Sequence, residues 1–483
     1  MSGSASFDDG NKKELAQASF EEAKIGSADD IRYSAAQDKA LLRRIDCSIF
    51  GLIQDTNLVG RQFSWLTTVF YLGYMVSEFP ANYLMQKFEI KYILGGSMVL
   101  WGLMVGLIAA CKDFAGLAAV RFLLGAFESA VTPGFLLIMA QYYTTREQAS
   151  RVLIWSSMNQ TFASFTGVIT YLLGRHAMRN PGGLAGWQLI NIFLAACTVA
   201  CAFGVFIFLG SINSVWWLSA EQKDHARHRV RANKTNTHEV HKWDWKQAQE
   251  CLFDPQVWLI WMIVAILSVP NGGITSFIAQ IIKSLGFSAL NTILLQIPMN
   301  VFGVSMFWVS ILITIKWNNC RLLLCALWPM MTVAGLIVVV ALPASDSFKW
   351  AKYGVLFCNS LFSLGMFFAF GLVPSNVAGR TKKSVVSTAM FVAYCVGNLA
   401  GGQIFKPEDA PRFHTGLIVC IVMLTTASAL ALVLRIYYVR ANKKRDEAMR
   451  SQGLTEEDRH RLGGEAGDQD LTDLNNPHFR YAF

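Results

Sequence analysis

Long apolar stretches separated by polar loops recur along the chain from residue 63 onward. About eleven of them are long enough to cross a bilayer as a helix, which takes about 20 apolar residues. We predict membrane-spanning helices at residues 64–85, 92–111, 114–141, 150–174, 187–210, 256–283, 291–315, 322–342, 353–376, 384–405 and 413–438. The alternating pattern of barrel strands is absent from the sequence. Because only helices and closed barrels satisfy their backbone in lipid, the pattern predicts an all-α membrane protein.

The polar segments divide the chain into five predicted regions. These are a polar N-terminal tail of cytosolic type at residues 1–46, a helical bundle at 47–210, a basic cytosolic loop at 211–255, a second bundle at 256–439 and a polar tail at 440–483. Five predicted spans precede the central loop and six follow it. Two helical halves joined by a long loop are typical of transporters built from two six-helix bundles, so the first half is one helix short.

Composition agrees with a membrane protein and excludes several other classes. The chain is 53% hydrophobic and 16% charged, where soluble proteins have about 25% charged residues. The ten cysteines form no metal-binding spacing, and we expect neither a metal nor a cofactor. Motifs for ATP binding, metal-dependent hydrolysis or nucleophilic catalysis are absent from the sequence, so we expect no enzyme and no ATP-driven pump.

The distribution of charge predicts an orientation and exposes a conflict. The net charge of +9 comes from Lys and Arg in loops and tails, which follows the positive-inside rule and does not indicate nucleic-acid binding. This rule places the central loop and the C-terminal tail in the cytosol. Five spans would then place residues 1–60 outside the cell, although that segment carries seven Lys and Arg residues.

Four segments of the sequence resemble one known family. FSWLTTVFYLGYMVSEFPANYLMQKF at residues 63–88 is similar to the second helix of the fungal anion:cation symporters, the allantoate-permease branch of the major facilitator superfamily. RFLLGAFESAVTPG at 121–134 resembles the fourth helix of that family. AGRTKKSVVSTAMFVAYCVGNLAGGQIF at 378–405, followed by APRFHTG at 410–416, resembles its eleventh helix. DLTDLNNPHFRY at 470–481 resembles its acidic C-terminal ending.

The resemblance implies a fold and a function. Family members have two bundles, twelve helices and both termini in the cytosol. By analogy we expect proton-coupled uptake of a small organic anion, such as a carboxylate, a ureido acid or a vitamin-like compound, by alternating access. We also expect a monomer in the lipid bilayer of the plasma membrane, with a small organic anion and a proton as its partners.

The chain departs from the family at the first helix. Asp46 is followed by only seven apolar-type residues, CSIFGLI at 47–53, before the polar loop that leads to the second helix. Seven residues rise about 10 Å as a helix, against a hydrocarbon core of about 30 Å. Most of the first helix is therefore missing from this chain. The alternative to a working carrier is a truncated, non-transporting isoform or gene-model product.

Two charged residues in one predicted span are the first candidates for transport. Arg121 and Glu128 are seven residues, or two helical turns, apart and therefore share a face. Charges inside a membrane are costly and indicate function by default. The planar guanidinium of Arg121 is suited to a carboxylate, and Glu128 could take up and release a proton. The alternative is that both residues only hold neighbouring helices together.

Uncharged polar residues in the other spans complete the predicted site. Besides Arg121, the predicted substrate-binding residues are Asn159, Gln160, Asn271, Gln296, Asn300, Asn359, Tyr394 and Asn398. Tyr394 and Asn398 are four residues apart and share a helix face. The alternative for each amide is helix–helix adhesion, worth about 0.6 kcal/mol.

Two further patterns predict local structure. Asn271 is followed by two glycines, which we expect to break the seventh helix at the level of the binding site. Gly397 and Gly401 form a small-residue face that predicts close helix packing. Near the cytosolic side, Glu78 is predicted to form a gating latch with Lys87 and Lys91.

Overall fold

The protein is helical throughout the part of the chain that the structure describes. The computed structural model describes residues 52–59, 62–143, 145–180, 182–212, 214–231, 243–317, 319–343, 346–406, 409 and 413–483. No β-strand occurs in these ranges, which confirms the predicted all-α class. The predicted N-terminal tail at 1–46 lies outside the described residues.

The first half contains the helices up to the central loop. They are α1 (Leu52–Asp55), α2 (Gln62–Lys87), α3 (Ile90–Ile108), α4 (Phe114–Glu128), α5 (Val131–Tyr142), α6 (Thr145–Arg179) and α7 (Gly186–Phe208). Two helices of the central loop follow, α8 (Ala220–Arg231) and α9 (Trp245–Phe253). Helices α4 and α5 together form one membrane-spanning segment, interrupted at residues 129 and 130.

The second half begins at α10 and ends with the folded tail. Its helices are α10 (Pro255–Ser284), α11 (Ala289–Lys316), α12 (Arg321–Ala341), α13 (Lys349–Leu356), α14 (Leu361–Phe370), α15 (Leu372–Asn376), α16 (Arg380–Ile404), α17 (His414–Ser451) and α18 (Glu456–Asp468). A 3-10 turn, Phe357–Ser360, joins α13 to α14. The start of α10 is well defined, because the Asp254 carboxylate caps the helix by accepting a hydrogen bond from the Gln256 backbone at 3.0 Å.

The observed spans fall where the sequence predicts them. Nine helical segments of the described chain are long and apolar enough to cross a membrane. Helices α2 and α6, with 26 and 35 residues, are equally long but less apolar. The lower apolarity of α6 has a clear source, because its first turns carry the polar sequence TREQAS. Helix α17 has 38 residues and extends past the predicted membrane boundary to Ser451.

Each half is a bundle, and two helix pairs join the halves. In the first half α2 packs on α4, and α3 packs on α4 and α7. In the second half α10 packs on both α16 and α17, while α12 packs on α14 and α17. The halves meet where α2 contacts α16 and where α6 contacts α11. The interface between the halves is therefore formed by α2 and α6 from one half and by α16 and α11 from the other.

Helix α10 has no counterpart in the described part of the first half. In the order of the chain, α6 and α7 correspond to α16 and α17, which both pack against α10. Before α2 the structure describes only the four-residue helix α1. On α6, Phe162 and Phe165 are each 63% exposed. The absence of a counterpart of α10 from the described residues agrees with the sequence, which lacks most of a first helix.

Candidate functional site

A hydrogen-bonded group of polar side chains joins α10 to α16 halfway along both helices. The Asn271 amide donates to Asn398 Oδ1 at 2.8 Å and to the Tyr394 hydroxyl at 3.4 Å. The Asn398 amide in turn donates to the backbone carbonyl of Tyr394 at 2.8 Å. Asn398 is fully buried, whereas Asn271 and Tyr394 are half-buried. Asn398 therefore positions the side chain of Asn271, which in turn contacts the Tyr394 hydroxyl.

Glycines bring α10 and α16 close enough for these bonds. A Cβ atom at Gly397 would overlap the Ala265 carbonyl oxygen, and one at Gly401 would overlap the Val269 carbonyl oxygen. The predicted close packing at these two residues is confirmed. Only a residue without a side chain permits such a backbone approach.

The predicted break of the seventh helix is wrong. Helix α10 runs without interruption from Pro255 to Ser284. The Ser276 hydroxyl donates to the Gly272 carbonyl at 2.9 Å, as expected one turn apart in a continuous helix. Gly272 faces the backbone of Asn398, which a Cβ atom would overlap. The glycines after Asn271 therefore serve helix packing and do not open the helix.

In the first half, a matching glycine contact joins α2 to α4. A Cβ at Gly73 would overlap the Phe122 carbonyl, and a Cβ at Gly125 would overlap the Phe70 carbonyl. This close approach fixes the depth of α4 relative to α2. It thereby places Tyr71, on α2, near the charged pair of α4.

The charged pair of α4 lies at this contact. Arg121 and Glu128 are both partly buried, and their charges interact. Glu128 also lies within electrostatic range of the hydroxyls of Tyr71 and Tyr394. The two tyrosine rings meet edge to face across the interface between the halves, with centroids 6.2 Å apart. A carboxyl and a hydroxyl group from the first half thus lie near the Tyr394 hydroxyl of the second. Sequence reasoning missed Tyr71, although a hydroxyl inside the segment at 63–88 that resembles the family could have indicated it.

A second polar group lies where α6 meets α11. Gly303 on α11 faces Gln160 of α6 on one side and Ser360 of the 3-10 turn on the other. Asn300 is half-buried and three residues before Gly303, so it shares that helix face. Asn359, in the same turn as Ser360, has a buried Oδ1 atom without a hydrogen-bond partner among the described residues. A buried acceptor of this kind is costly unless a ligand or water satisfies it.

Two predicted site residues are not brought into these groups. Gln296 donates to the Thr292 carbonyl of its own helix at 3.4 Å. Asn159 is exposed on α6, on the half of the molecule where the counterpart of α10 is missing. Both remain candidates from the sequence alone.

One end of the interface, where α2 begins and α16 ends and which we call the outer end, is closed by contacts that the sequence did not predict. The Gln403 amide of α16 donates to the Thr68 hydroxyl of α2 at 2.7 Å. The rings of Phe63 and Phe277, on α2 and α10, stack edge to face with centroids 6.1 Å apart. These contacts must separate for the outer end of the central site to open.

The predicted gating latch is not formed in this conformation. Glu78 is 1% exposed, and its carboxylate accepts a hydrogen bond from the Asn82 amide at 3.1 Å. Lys91 is 3.5 Å from Glu89. Lys87 is exposed and nine residues from Glu78, a rise of about 13 Å along a helix. Glu78 is therefore buried apart from Lys87, and Lys91 pairs with Glu89 instead.

Two bundles of membrane-spanning helices that meet around polar side chains are the architecture of a membrane transporter, and comparisons identify its family. The model of the Major Facilitator Superfamily matches residues 47–402. The chain belongs to this superfamily and is an integral membrane protein that crosses the bilayer several times.

Proteins similar to this chain along most of its length include several fungal transporters. An uncharacterized transporter of Schizosaccharomyces pombe is 33% identical over 94% of this chain and 89% of its own length. The allantoate permease of Saccharomyces cerevisiae is 29% identical over 90% and 80%, and the thiamine pathway transporter of that yeast is 30% identical over 88% and 79%. A crystal structure of a bacterial homolog of the human lysosomal transporter Spinster, inward-facing and occupied, superposes with a TM-score of 0.57 at 14% identity. It covers 84% of this chain and 94% of its own chain, and shows the shared fold.

Proposed function

We propose that the protein is a secondary active transporter that takes up a small organic anion together with protons. The observation that carries this proposal is a chain of neighbouring polar groups across the interface: Glu128 of the first half interacts electrostatically with Tyr394 of the second, and the Tyr394 hydroxyl accepts a hydrogen bond from Asn271. Arg121 interacts with Glu128 from the same helix. Residues from both halves around one polar centre suit a carrier that rocks about its substrate. The plasma membrane is the site of action that fits uptake.

The charged pair supplies complementary roles. The guanidinium of Arg121 can bind a carboxylate through two parallel hydrogen bonds, which favours an anionic substrate. A carboxylate such as Glu128 is costly inside a membrane while ionised, so proton uptake lowers the cost of moving it through a closed state. In our proposal the proton neutralises Glu128 while the substrate neutralises Arg121. Asn271 and the Tyr394 hydroxyl orient the anion from the other half.

The second polar group extends the site toward the uncharged part of the substrate. Gln160, Asn300 and Asn359 offer amide donors and acceptors at the other contact between the halves. Amide groups on the substrate, as in a ureido acid, would satisfy the buried Asn359 oxygen. A relative named allantoate permease supports this substrate class.

Uptake into proteoliposomes tests the carrier proposal. We expect labelled allantoate or a small vitamin-like carboxylate to accumulate when the outside is acidic, and accumulation to collapse when a protonophore is added. Arg121→Ala should abolish uptake, and Glu128→Gln should remove its dependence on the proton gradient while retaining exchange of substrate. The exposed residues Arg175 and Glu465 provide matched controls, Arg175→Ala and Glu465→Gln, that leave uptake unchanged.

Two results would contradict the proposal. Equal uptake by wild type and Arg121→Ala would remove the anion site from α4. Selective uptake of thiamine, a cation, would exclude an anion carrier altogether.

A second interpretation is favoured by the short segment before α2, where the structure describes only the four-residue helix α1. Since the described first half lacks a counterpart of α10, the chain is alternatively a non-transporting isoform or gene-model product. Inserting the first helix of the yeast allantoate permease between Asp46 and Cys47 separates the two proposals. Uptake only with the insertion supports the alternative, and equal uptake by both forms contradicts it. Sequencing the transcript across these codons shows whether the source organism makes the longer form.

A further inference from the structure

The C-terminal segment of the chain is bound to the cytosolic end of the second half. Asn376, at the end of α15, accepts from the Ala482 backbone N–H at 2.7 Å and donates to the Ala482 carbonyl at 2.9 Å. Asn442, on α17, binds the backbone of Tyr481 in the same two-bond manner, at 2.9 Å for each bond. Two asparagines thus capture consecutive backbone units of the tail as a binding site captures an extended peptide.

An aromatic side chain anchors the same segment. Tyr481 is buried and stacks on Tyr438 of α17, with ring centroids 4.6 Å apart and planes at 11°. The guanidinium of Arg445, which is also on α17, lies 4.8 Å from the Tyr481 ring centroid. The Tyr481 hydroxyl donates to the Asp473 carboxylate at 2.9 Å. The ring therefore fills an aromatic pocket while its polar tip connects to the acidic part of the tail.

A buried ammonium group holds that acidic part. Lys382 and Asp473 are both fully buried, with Nζ 2.9 Å from Oδ1. The same Nζ lies 2.6 Å from Asp254 and 2.8 Å from Glu250. Carboxylates from α9, from the cap of α10 and from the tail therefore converge on one lysine of α16.

The tail also caps the start of α16. The cap residue Gly379 has φ +85° and no side chain to accept from the first helical N–H groups. Instead, Asp470 Oδ1 accepts from the Arg380 N–H at 2.9 Å, and Gln247 Oε1 accepts from the N–H groups of Thr381 and Lys382 at 3.1 and 3.3 Å. Unsatisfied N–H groups at a helix start need such acceptors, and a carboxylate there also favours the helix dipole.

We propose that the cytosolic end of the second half is a peptide-binding cradle whose ligand is an acidic segment with an aromatic residue near its end, here residues 470–483. The cradle consists of Gln247, Glu250, Asp254, Asn376, Lys382, Tyr438 and Asn442. The bound segment acts as a clasp that fixes the start of α16, the helix that carries Tyr394 and Asn398. This function is separate from transport and does not depend on the substrate.

A cut made after folding tests the clasp directly. The turn after α17 is exposed around Gly453, so a recognition site for a specific protease is inserted there in the full chain. After cleavage in lipid nanodiscs, we expect the C-terminal fragment to elute with the membrane part. Cleaved Asp473→Ala should lose its fragment, whereas the exposed-site control Glu465→Gln should retain it. Release of the wild-type fragment as readily as that of Asp473→Ala would overturn the proposal.

A peptide-binding titration tests the same proposal on wild-type protein, so its result does not depend on whether a variant folds. Wild-type protein is cleaved, and its bound fragment is exchanged against an excess of added peptide, because salt screens a buried ion pair only weakly. A fluorescent peptide of residues 454–483 should bind saturably, and its Asp473→Asn form should bind at least ten-fold more weakly. Equal affinity of the two peptides would refute a cradle centred on Lys382.

Discussion

Replacing Lys382 by methionine is the most direct perturbation of the second half. Methionine keeps the length and apolar stem of the side chain but removes its ammonium group. Three carboxylates, from Glu250, Asp254 and Asp473, now face one another without a cation, at a site where two of them are fully buried. The variant thus leaves the packing almost unchanged and alters the electrostatics alone.

The structure allows the size of the effect to be worked out. Removing one partner of a buried ion pair costs about 3–5 kcal/mol, because the remaining charge stays buried and uncompensated. About 2–4 °C of melting temperature corresponds to 1 kcal/mol in a domain of about 200 residues. We therefore expect Lys382→Met to lower the melting temperature by about 6–20 °C. Lys443→Met on the exposed side of α17 is the matched control, and it should change the melting temperature by less than about 2 °C.

The assay is thermal unfolding of purified protein in detergent, followed by intrinsic tryptophan fluorescence. Neutralising the cluster should recover most of the loss, so we expect Lys382→Met combined with Asp254→Asn and Asp473→Asn to melt above the single variant. A single variant as stable as Lys443→Met would refute the reasoning. So would a triple variant that is less stable than Lys382→Met.

The same variant has a predicted pH dependence. Burial raises the pKa of Asp473, and the nearby Lys382 charge acts in the opposite direction. Loss of that charge raises the pKa further, so folded Lys382→Met binds a proton where the unfolded chain does not. Stability then decreases as pH rises through the raised pKa. We expect the deficit relative to wild type to be largest near neutral pH and to shrink on acidification. A deficit that grows on acidification would contradict this sign.

Two other predictions concern helix contacts. Gly401→Leu should disrupt the packing of α16 on α10, because its Cβ would overlap the Val269 carbonyl. We expect a loss of at least about 1–3 kcal/mol in thermal unfolding, and no loss for Gly204→Leu, where a Cβ meets nothing within 4 Å. Gln403→Leu removes the 2.7 Å bond to Thr68 between the halves, worth about 0.6 kcal/mol. Spin-label distances across the outer end should then show about a three-fold shift toward open conformations, and an unchanged distribution would refute that role.

Periodicity and apolar length were sufficient to predict where the helices lie, but not whether a helix is interrupted. A membrane span is a local property of about 20 residues, so the spans could be placed directly from the sequence. Whether Gly272 breaks α10 depends on which helix approaches it, and that is a tertiary contact with Asn398. The small-residue face at Gly397 and Gly401 was predictable because close approach is what such a face favours.

The candidate site likewise contains pairs that spacing on one helix predicts and contacts between helices that it does not predict. Tyr394 and Asn398 could be paired from their spacing on one helix. Their bonds to Asn271 join residues 123 and 127 positions apart, and no local pattern contains them. The docking of the tail was missed for the same reason. The Ala482 backbone binds Asn376, which lies 106 positions earlier in the chain. Local sequence, which is rich in charged and polar residues, predicts only a solvated tail there.

The incomplete first half bears on both proposed functions. In the second half α10 joins α16 to α17 and supplies Asn271 to the central site. A first helix in the corresponding position would pack against α6 and α7 as α10 packs against α16 and α17. The second half therefore has all six of its membrane-spanning segments. The first half, which carries Arg121 and Glu128, has only five in the described residues. Since alternating access requires both halves to exclude water from the site, the added helix should affect transport far more than the stability of the second half. Uptake and thermal unfolding measured on the same pair of chains, with and without the insertion, would separate these two effects.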